Sequence, residues 1–218
     1  MNTIKKILVA GFEPFGGEPV NPALEAIKLL NGRQIDGFEI ITRSLPVVKG
    51  SSITSIINYV EELDPELVLV VGQSLGYVDI AVERVAINID DFRIKDNEGN
   101  QPIDEPIVIG GPDAYWSTLP IKAMVGHMRA GGIPARVSNT AGTFVCNHLF
   151  YGLMHALARE GNKRRGGFIH IPYLPEQAVR LAGQPSMALE TIVRGLELAI
   201  DAALANKQDI KVTGGTLC

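Results

Sequence analysis

The chain has few cysteines, no strong excess of charge and no long apolar run. Among its 218 residues there are only two cysteines, Cys146 and Cys218, which excludes a disulfide framework and favours a reducing, cytoplasmic setting. The 20 Lys and Arg residues against 24 Asp and Glu give a formal net charge of −4, and the longest basic stretch is 163–165. The longest unbroken apolar run covers residues 67–71, far below the ~20 residues of a membrane span. We therefore expect neither nucleic acid nor a membrane as a partner.

The pattern of the chain predicts one α/β domain over residues 1–218. Short runs of β-branched residues alternate with stretches of helical spacing, which is typical of α/β proteins. The predicted strands are 5–11, 38–45, 67–72, one or two strands within 77–88, 136–139 and 167–171. The predicted helices are 22–32, 51–63, 117–130, 144–159 and 186–205, and a long loop is expected over 90–106.

Cys146 is the strongest candidate for chemistry. It lies in the sequence SNTAGTFVCNH, where a predicted strand ends, a turn of small residues follows and an apolar helical pattern begins. The sulfur is therefore expected in the first turn of a helix, where the helix dipole and free N–H groups favour a thiolate and can hold an oxyanion. On position alone, a buried and inert cysteine is an alternative of equal weight.

A nucleophilic cysteine needs a base, and His170 is the best placed of the four histidines. His148 and His155 lie on the same predicted helix as Cys146 but on other faces of it. His127 lies opposite the apolar stripe of its own helix. His170 ends a predicted strand, where side chains from several elements can converge. A core histidine bonded to backbone is the alternative interpretation.

Glu83 is the best carboxylate to orient such a histidine. Its neighbours within 80–87 are mostly apolar, and an unpaired charge among them would be costly. The alternative is a solvated strand face on which Glu83 pairs with Arg84.

Aromatic residues and glycines surround the turn after the first strand. Phe12 and Phe15 flank this turn, and with Phe144 they either line a small flat apolar pocket or cap the core. The glycines of 11–17 have the spacing of a phosphate-binding loop but lack its GK[ST] ending. Residues 96–100 do not complete a calcium loop, and no cluster of Cys and His suggests zinc.

Four segments of the chain resemble those of type I pyroglutamyl peptidases, also called pyrrolidone-carboxylate peptidases. They are GFEPFGG-EPVNP, ERVAIN, GIPARVSNTAGTFVCNH and GFIHIPYLPEQ, and the resemblance runs through nearly the whole chain. It implies an open α/β/α sandwich with a mixed, mostly parallel twisted sheet. It also implies a cysteine peptidase that removes N-terminal pyroglutamate from peptides, with no metal or cofactor, and that is commonly a homotetramer.

The resemblance also assigns roles to residues. It implies a catalytic triad of Cys146, His170 and Glu83, a pocket lined by phenylalanines, and a polar contact from Gln73 to the lactam ring. The pocket residues it implies are Phe12, Phe15 and Phe144.

One stretch differs from the family pattern. The family usually has a glycine pair followed by Arg, and Ser or Thr two residues before the glutamate. This chain has Leu75, Tyr77 and Ala81 at those places, which implies a different loop shape near Gln73.

Two other classes of protein are alternatives. The first is an enzyme acting on nucleosides or other small molecules on a similar sheet, with Cys146 structural. The missing phosphate cradle weighs against it. The second is a binding protein without chemistry, which would not need Cys146, His170 and Glu83 at converging positions.

Overall fold

A computed structural model describes residues 4–215, and Cys218 lies outside the described residues. The strands are β1 (Lys5–Phe12), β2 (Gln34–Ile35), β3 (Phe38–Leu45), β4 (Leu67–Gln73), β5 (Ile80–Glu83), β6 (Val85–Ile87), β7 (Ala114–Trp116), β8 (Ala135–Ser138) and β9 (Arg165–Ile171). The helices are α1 (Pro22–Lys28), α2 (Ser51–Leu63), α3 (Ile121–Ala130), α4 (Val145–Arg159), α5 (Pro175–Ala178) and α6 (Leu189–Ala205).

Seven strands form one sheet in the order β2-β3-β1-β4-β9-β5-β8, and β6 and β7 form a separate two-stranded ribbon. The central strands β3, β1, β4 and β9 are parallel to one another. Strand β5 runs antiparallel to β9, and β8 is parallel to β5. The sheet is therefore mixed and mostly parallel, which confirms the predicted fold class.

Helices cover both faces of this sheet. Helices α1, α3 and α6 pack on one face, together with the side chains of Ile7, Leu69 and Ile169. Helices α2 and α4 pack on the other face, with Leu8, Val70 and Phe168. Neighbouring residues of a strand point to opposite faces, so alternate positions of each central strand contribute to different cores.

Local sequence signals explain several element ends. The side chain of Asn21 caps α1 by accepting the N–H of Ala23 at 3.0 Å, and Pro22 occupies the first helical turn. Helix α2 ends at Leu63, and Asp64 after it adopts a left-handed conformation with φ 45° immediately before Pro65.

The structure also corrects some predicted bounds. Helix α3 begins at Ile121 rather than at 117, because a proline disfavours the helical conformation of the residue before it and residues 117–120 are not helical. Helix α6 begins at Leu189 rather than at 186, since Ser186 and Met187 bond to Tyr173 in a bridge. Helix α1 ends at Lys28, and the chain reaches 32 through turns. Three short elements, β2, β7 and α5, were not predicted.

The predicted loop at 90–106 is held by the carboxylate of Asp96. This group accepts backbone N–H bonds from Lys49 at 2.8 Å, Glu98 at 3.0 Å and Asn100 at 2.8 Å. Burial alone would raise its pKa, but these hydrogen bonds outweigh burial and lower it. The Asp96 oxygens are thus occupied by the chain's own donors.

Within residues 4–215, no helix combines the length and the apolar character needed to cross a membrane.

Candidate active site

Cys146 lies in the first turn of α4, as the sequence predicts. The helix starts at Val145 after Phe144, whose backbone is extended, and no side chain among residues 4–215 caps it. The first N–H groups of a helix have no partner within the helix. The Cys146 side chain therefore starts from the end of the helix where the dipole is positive and N–H groups are free.

His170 and Glu83 come from adjacent antiparallel strands. Strand β9 pairs His170 with Ala81, and Glu83 lies two residues after Ala81 on β5, so both side chains point to the same face of the sheet. That face is the one covered by α4. His170 Nδ1 lies 2.8 Å from Glu83 Oε1. Both side chains are buried, with relative exposures of 3% and 0%.

The His170 imidazole is placed between an acid and a thiol. Burial by itself lowers the pKa of His170, but hydrogen bonds to Cys146 and Glu83 and the negative charge of both groups outweigh burial. Together they raise the pKa from its ordinary value of 6.5 to about 10. The second Glu83 oxygen, Oε2, is buried without a hydrogen-bond partner among the described residues. The cost of burying the Glu83 carboxylate is therefore offset by its hydrogen bond with the His170 ring.

Gly72 makes room for the sulfur, and sequence reasoning missed it. It lies opposite His170 in the β4–β9 register. A Cβ atom at Gly72 would lie 3.2 Å from Cys146 Sγ and 2.7 Å from the Phe168 ring. Any other residue there would displace the thiol or the ring. The signal available in the sequence was the glycine that ends the apolar run of β4.

A small pocket opens beside the thiol. Its lining residues are neutral and mostly apolar: Phe12, Phe15, Asn21, Val47, Gln73, Phe144, Val145 and Cys146. All four pocket residues named from the sequence are thus in one place. Phe12 is also part of the hydrophobic core, so it both lines the pocket and caps the core.

The phenylalanines of the pocket support one another. The rings of Phe15 and Phe144 have centroids 6.1 Å apart, and Phe92 packs edge to face against Phe144 at 4.7 Å. Phe92 comes from the 90–106 region, which sequence reasoning treated only as a loop. It supports Phe144, one of the residues that line the pocket.

Gln73 is held by a buried amide that the sequence did not single out. Gln177 of α5 is 0% exposed, and its Nε2 donates to Gln73 Oε1 at 3.2 Å. Gln177 Oε1 in turn accepts the Leu174 N–H at 3.1 Å. The hydrogen bond from Gln177 therefore fixes the position of the Gln73 amide in the pocket lining.

The other three histidines have separate partners. His148 is buried, with its Nδ1 2.9 Å from Asp90 and its Nε2 accepting the Gly50 N–H at 2.8 Å. His155 Nδ1 lies 2.9 Å from the Tyr115 hydroxyl, and His127 pairs with Asp201 at the surface at 3.0 Å. His148 anchors the helix that carries Cys146, a role not foreseen from the sequence.

Asn147 is the second anchor of that helix. Its amide receives the Ile87 N–H at 3.0 Å and donates to the carbonyls of Ile87 at 2.9 Å and Ile89 at 3.0 Å. Strand β6 is thereby fixed to the start of α4. Among residues 4–215, no group of three His, Cys, Asp or Glu side chains is arranged to hold a metal ion.

Comparison with known proteins gives one consistent result. Residues 5–206 match the family model described as pyroglutamyl peptidase. The pyrrolidone-carboxylate peptidase of Brevibacillus brevis is 58% identical over 214 residues, covering 98% of this chain and all of that protein. The corresponding protein of Bacillus cereus is 56% identical over 213 residues, covering 98% of this chain and 99% of its own length. The crystal structure of pyroglutamyl peptidase I from Bacillus amyloliquefaciens superposes with a TM-score of 0.94 at 47% identity, over 97% of this chain and 100% of that one.

Proposed function

Because the chain belongs to the pyroglutamyl peptidase family, a family of cysteine peptidases, we propose that it hydrolyses the peptide bond after an N-terminal pyroglutamate through a Cys146–His170–Glu83 triad. The observation that carries this proposal is the imidazole of His170 held between the Glu83 carboxylate and the Cys146 thiol. The expected partners are peptides that begin with pyroglutamate.

The reaction begins with a thiolate and an imidazolium. The Cys146 thiolate attacks the carbonyl carbon of pyroglutamate, and the negative charge that develops on the oxygen is stabilised by N–H groups at the start of α4. His170 then gives its proton to the leaving amine, and an acyl-enzyme forms. Water, deprotonated by the now neutral His170, hydrolyses that thioester, which releases pyroglutamate and restores the thiolate and the imidazolium. Glu83 keeps the imidazole oriented with Nδ1 toward the carboxylate.

The pocket accounts for the choice of substrate. A pyroglutamyl ring is neutral, flat and small, and it needs apolar walls and an amide partner, which Phe12, Phe15, Phe144 and Gln73 supply. An ordinary peptide begins with an ammonium group. None of the residues that line the pocket carries a charge that would pair with it, and desolvating an unpaired ammonium is costly.

Three further features belong to the proposal. The resemblance to the family supports one peptidase domain over residues 1–218 and a homotetramer. The low cysteine content supports a cytoplasmic setting. Light scattering of the purified protein measures the assembly, and fractionation of the source cells measures the location.

The test compares matched amides of pyroglutamate, proline and glutamine. We expect the wild type to cleave the pyroglutamyl amide with kcat/KM up to ~10⁴-fold above the other two, since a site built to hydrogen-bond a group rejects analogues that lack it. Cys146→Ala is the matched control and should be folded and nearly inactive. Equal rates on the three amides would contradict the proposed specificity, and turnover by Cys146→Ala would contradict the proposed nucleophile. Binding without turnover by the wild type would indicate a binding protein instead.

A further inference from the structure

The loop between β4 and β5, residues 74–79, crosses the end of the strand that carries His170. Strand β9 lies between β4 and β5 in the sheet, so this loop has to pass over its carboxyl end. The loop begins with a hydrogen bond from the Ser74 N–H to the Ile171 carbonyl at 3.0 Å. Its residues are therefore next to the base of the triad.

Tyr77 is the residue of this loop that contacts the base. Its ring centroid lies 5.7 Å from that of His170, and the two rings meet edge to face at 76°. Tyr77 is not among the residues that line the pyroglutamyl pocket. Tyr77 lies next to His170. The pocket phenylalanines lie next to Cys146 instead.

Arg136 and Asp79 hold the Tyr77 ring in place. The guanidinium of Arg136 lies over this ring at 4.3 Å from its centroid, and Arg136 Nε donates to Asp79 Oδ1 at 2.8 Å. The charges of Arg136 and Asp79 are thus paired with each other. Neither Arg136 nor Asp79 therefore places an unpaired charge beside the Tyr77 ring.

The rim around Tyr77 is apolar. Leu75 and Val78 flank it in the loop and are exposed, at 58% and 67%. Exposed apolar side chains grouped beside a catalytic centre are typical of a binding surface.

Resting on the proposed function, we propose that Tyr77 forms the wall of the subsite for the residue that follows pyroglutamate, and that this subsite favours a large apolar or aromatic side chain. The argument is one of position. The ring of the substrate occupies the pocket and its carbonyl meets Cys146, so the leaving amine has to lie at His170, which protonates it. Phe168 also packs on His170, at 4.8 Å between centroids, but it is 0% exposed. The side chain attached to that amine then lies against the accessible ring beside His170, which is Tyr77.

The test uses the full chain and a series of pyroglutamyl dipeptide amides with Ala, Leu, Phe, Asp or Lys in second place. We expect the wild type to prefer Phe and Leu over Ala, and Ala over Asp and Lys. Tyr77→Ala should lower the ratio of kcat/KM for Phe over Ala by about 2- to 10-fold, the range expected for loss of one aromatic pair. Tyr77→Phe should keep that ratio, because the ring and not the hydroxyl forms the wall.

Tyr59→Ala is the matched control. Tyr59 also has a guanidinium over its ring, that of Arg43 at 5.7 Å, but it lies on α2 away from the triad. It should leave the Phe-to-Ala ratio unchanged. An unchanged ratio in Tyr77→Ala would overturn the subsite, and so would an equal loss on every substrate, which would mean that Tyr77 only supports His170. Inactivity of the wild type on all pyroglutamyl amides would instead overturn the proposed function on which the subsite rests.

Discussion

Cys146 carries the proposed chemistry, and its reactivity is the most direct test at the scale of single residues. We expect iodoacetamide to modify Cys146 and to abolish hydrolysis of a pyroglutamyl amide, because the thiol lies at the start of α4 beside His170. Peptide mass spectrometry identifies the alkylated residue. Cys218→Ser is the control and should keep full activity and full sensitivity. Equal inactivation of a Cys146→Ser variant and the wild type would assign the reaction to another group.

The pKa of His170 gives a prediction about pH. His170 has to be protonated to release the amine, so kcat/KM should fall on the alkaline side as the pH passes about 10. Glu83→Gln removes a negative charge and a hydrogen bond that raise this pKa, so the alkaline limb should move to lower pH. The measurement is a pH profile of both proteins between pH 6 and about 11. An unmoved limb in Glu83→Gln would contradict the role of Glu83.

The same shift affects folding, and the two effects need separate measurement. Because the pKa of His170 is higher in the folded protein than its ordinary 6.5, the charged imidazole stabilises the fold fully below about pH 6.5. This stabilisation is lost as the pH rises through about 10. Circular dichroism across the same pH range identifies the part of any loss of activity that comes from unfolding.

Helix α4 is the element on which the site depends, and its buried anchor gives a prediction about stability. His148→Leu leaves the Asp90 carboxylate buried without its ring partner and should lower the free energy of unfolding by about 3–5 kcal/mol. His127→Leu is the matched control, since its partner Asp201 is exposed and such pairs contribute about 0–1 kcal/mol. Urea denaturation measures both. Equal effects of the two substitutions would mean that the Asp90 pair does not anchor the helix.

The elements that the sequence predicts well are those with long apolar periodicity. Helix α4 begins within one residue of the expected start because the turn AGT and the apolar run after it mark the boundary. Strand β7 could not be predicted, since a strand of three residues is too short for a period to show. Strand β5 was expected, but its antiparallel direction was not, because direction is set by pairing partners distant in the sequence.

The site itself followed the same division. The sequence pointed to three side chains that can carry out chemistry and that lie in apolar surroundings: Cys146, His170 and Glu83. The structure places them next to one another. Gly72 and Gln177 did not stand out, since their roles depend on neighbours from other elements. A residue that acts by leaving space or by holding another side chain has no local signal.

At the scale of the whole molecule, one sheet joins two cores. Leu69→Ala in β4 removes packing from the face covered by α1, α3 and α6, whereas the triad lies on the opposite face. We expect it to lower the free energy of unfolding by about 2–5 kcal/mol. Activity and circular dichroism should be lost in one urea transition, because both faces share the same strands. Leu29→Ala at the exposed end of α1 is the control and should change little. Separate transitions would contradict a single cooperative unit.

The place of β9 in the sheet has a consequence for how the protein acquires reactivity during synthesis. Although β9 is the last strand among residues 4–215, it lies between β4 and β5, so these two strands are joined in one sheet only through β9. Proteins are synthesised from the N-terminus to the C-terminus, so Cys146 leaves the ribosome before His170 does. Until β9 pairs on both sides, the thiol has neither its base nor the carboxylate behind that base. The pairing of one strand with both of its neighbours therefore completes the sheet and the triad together.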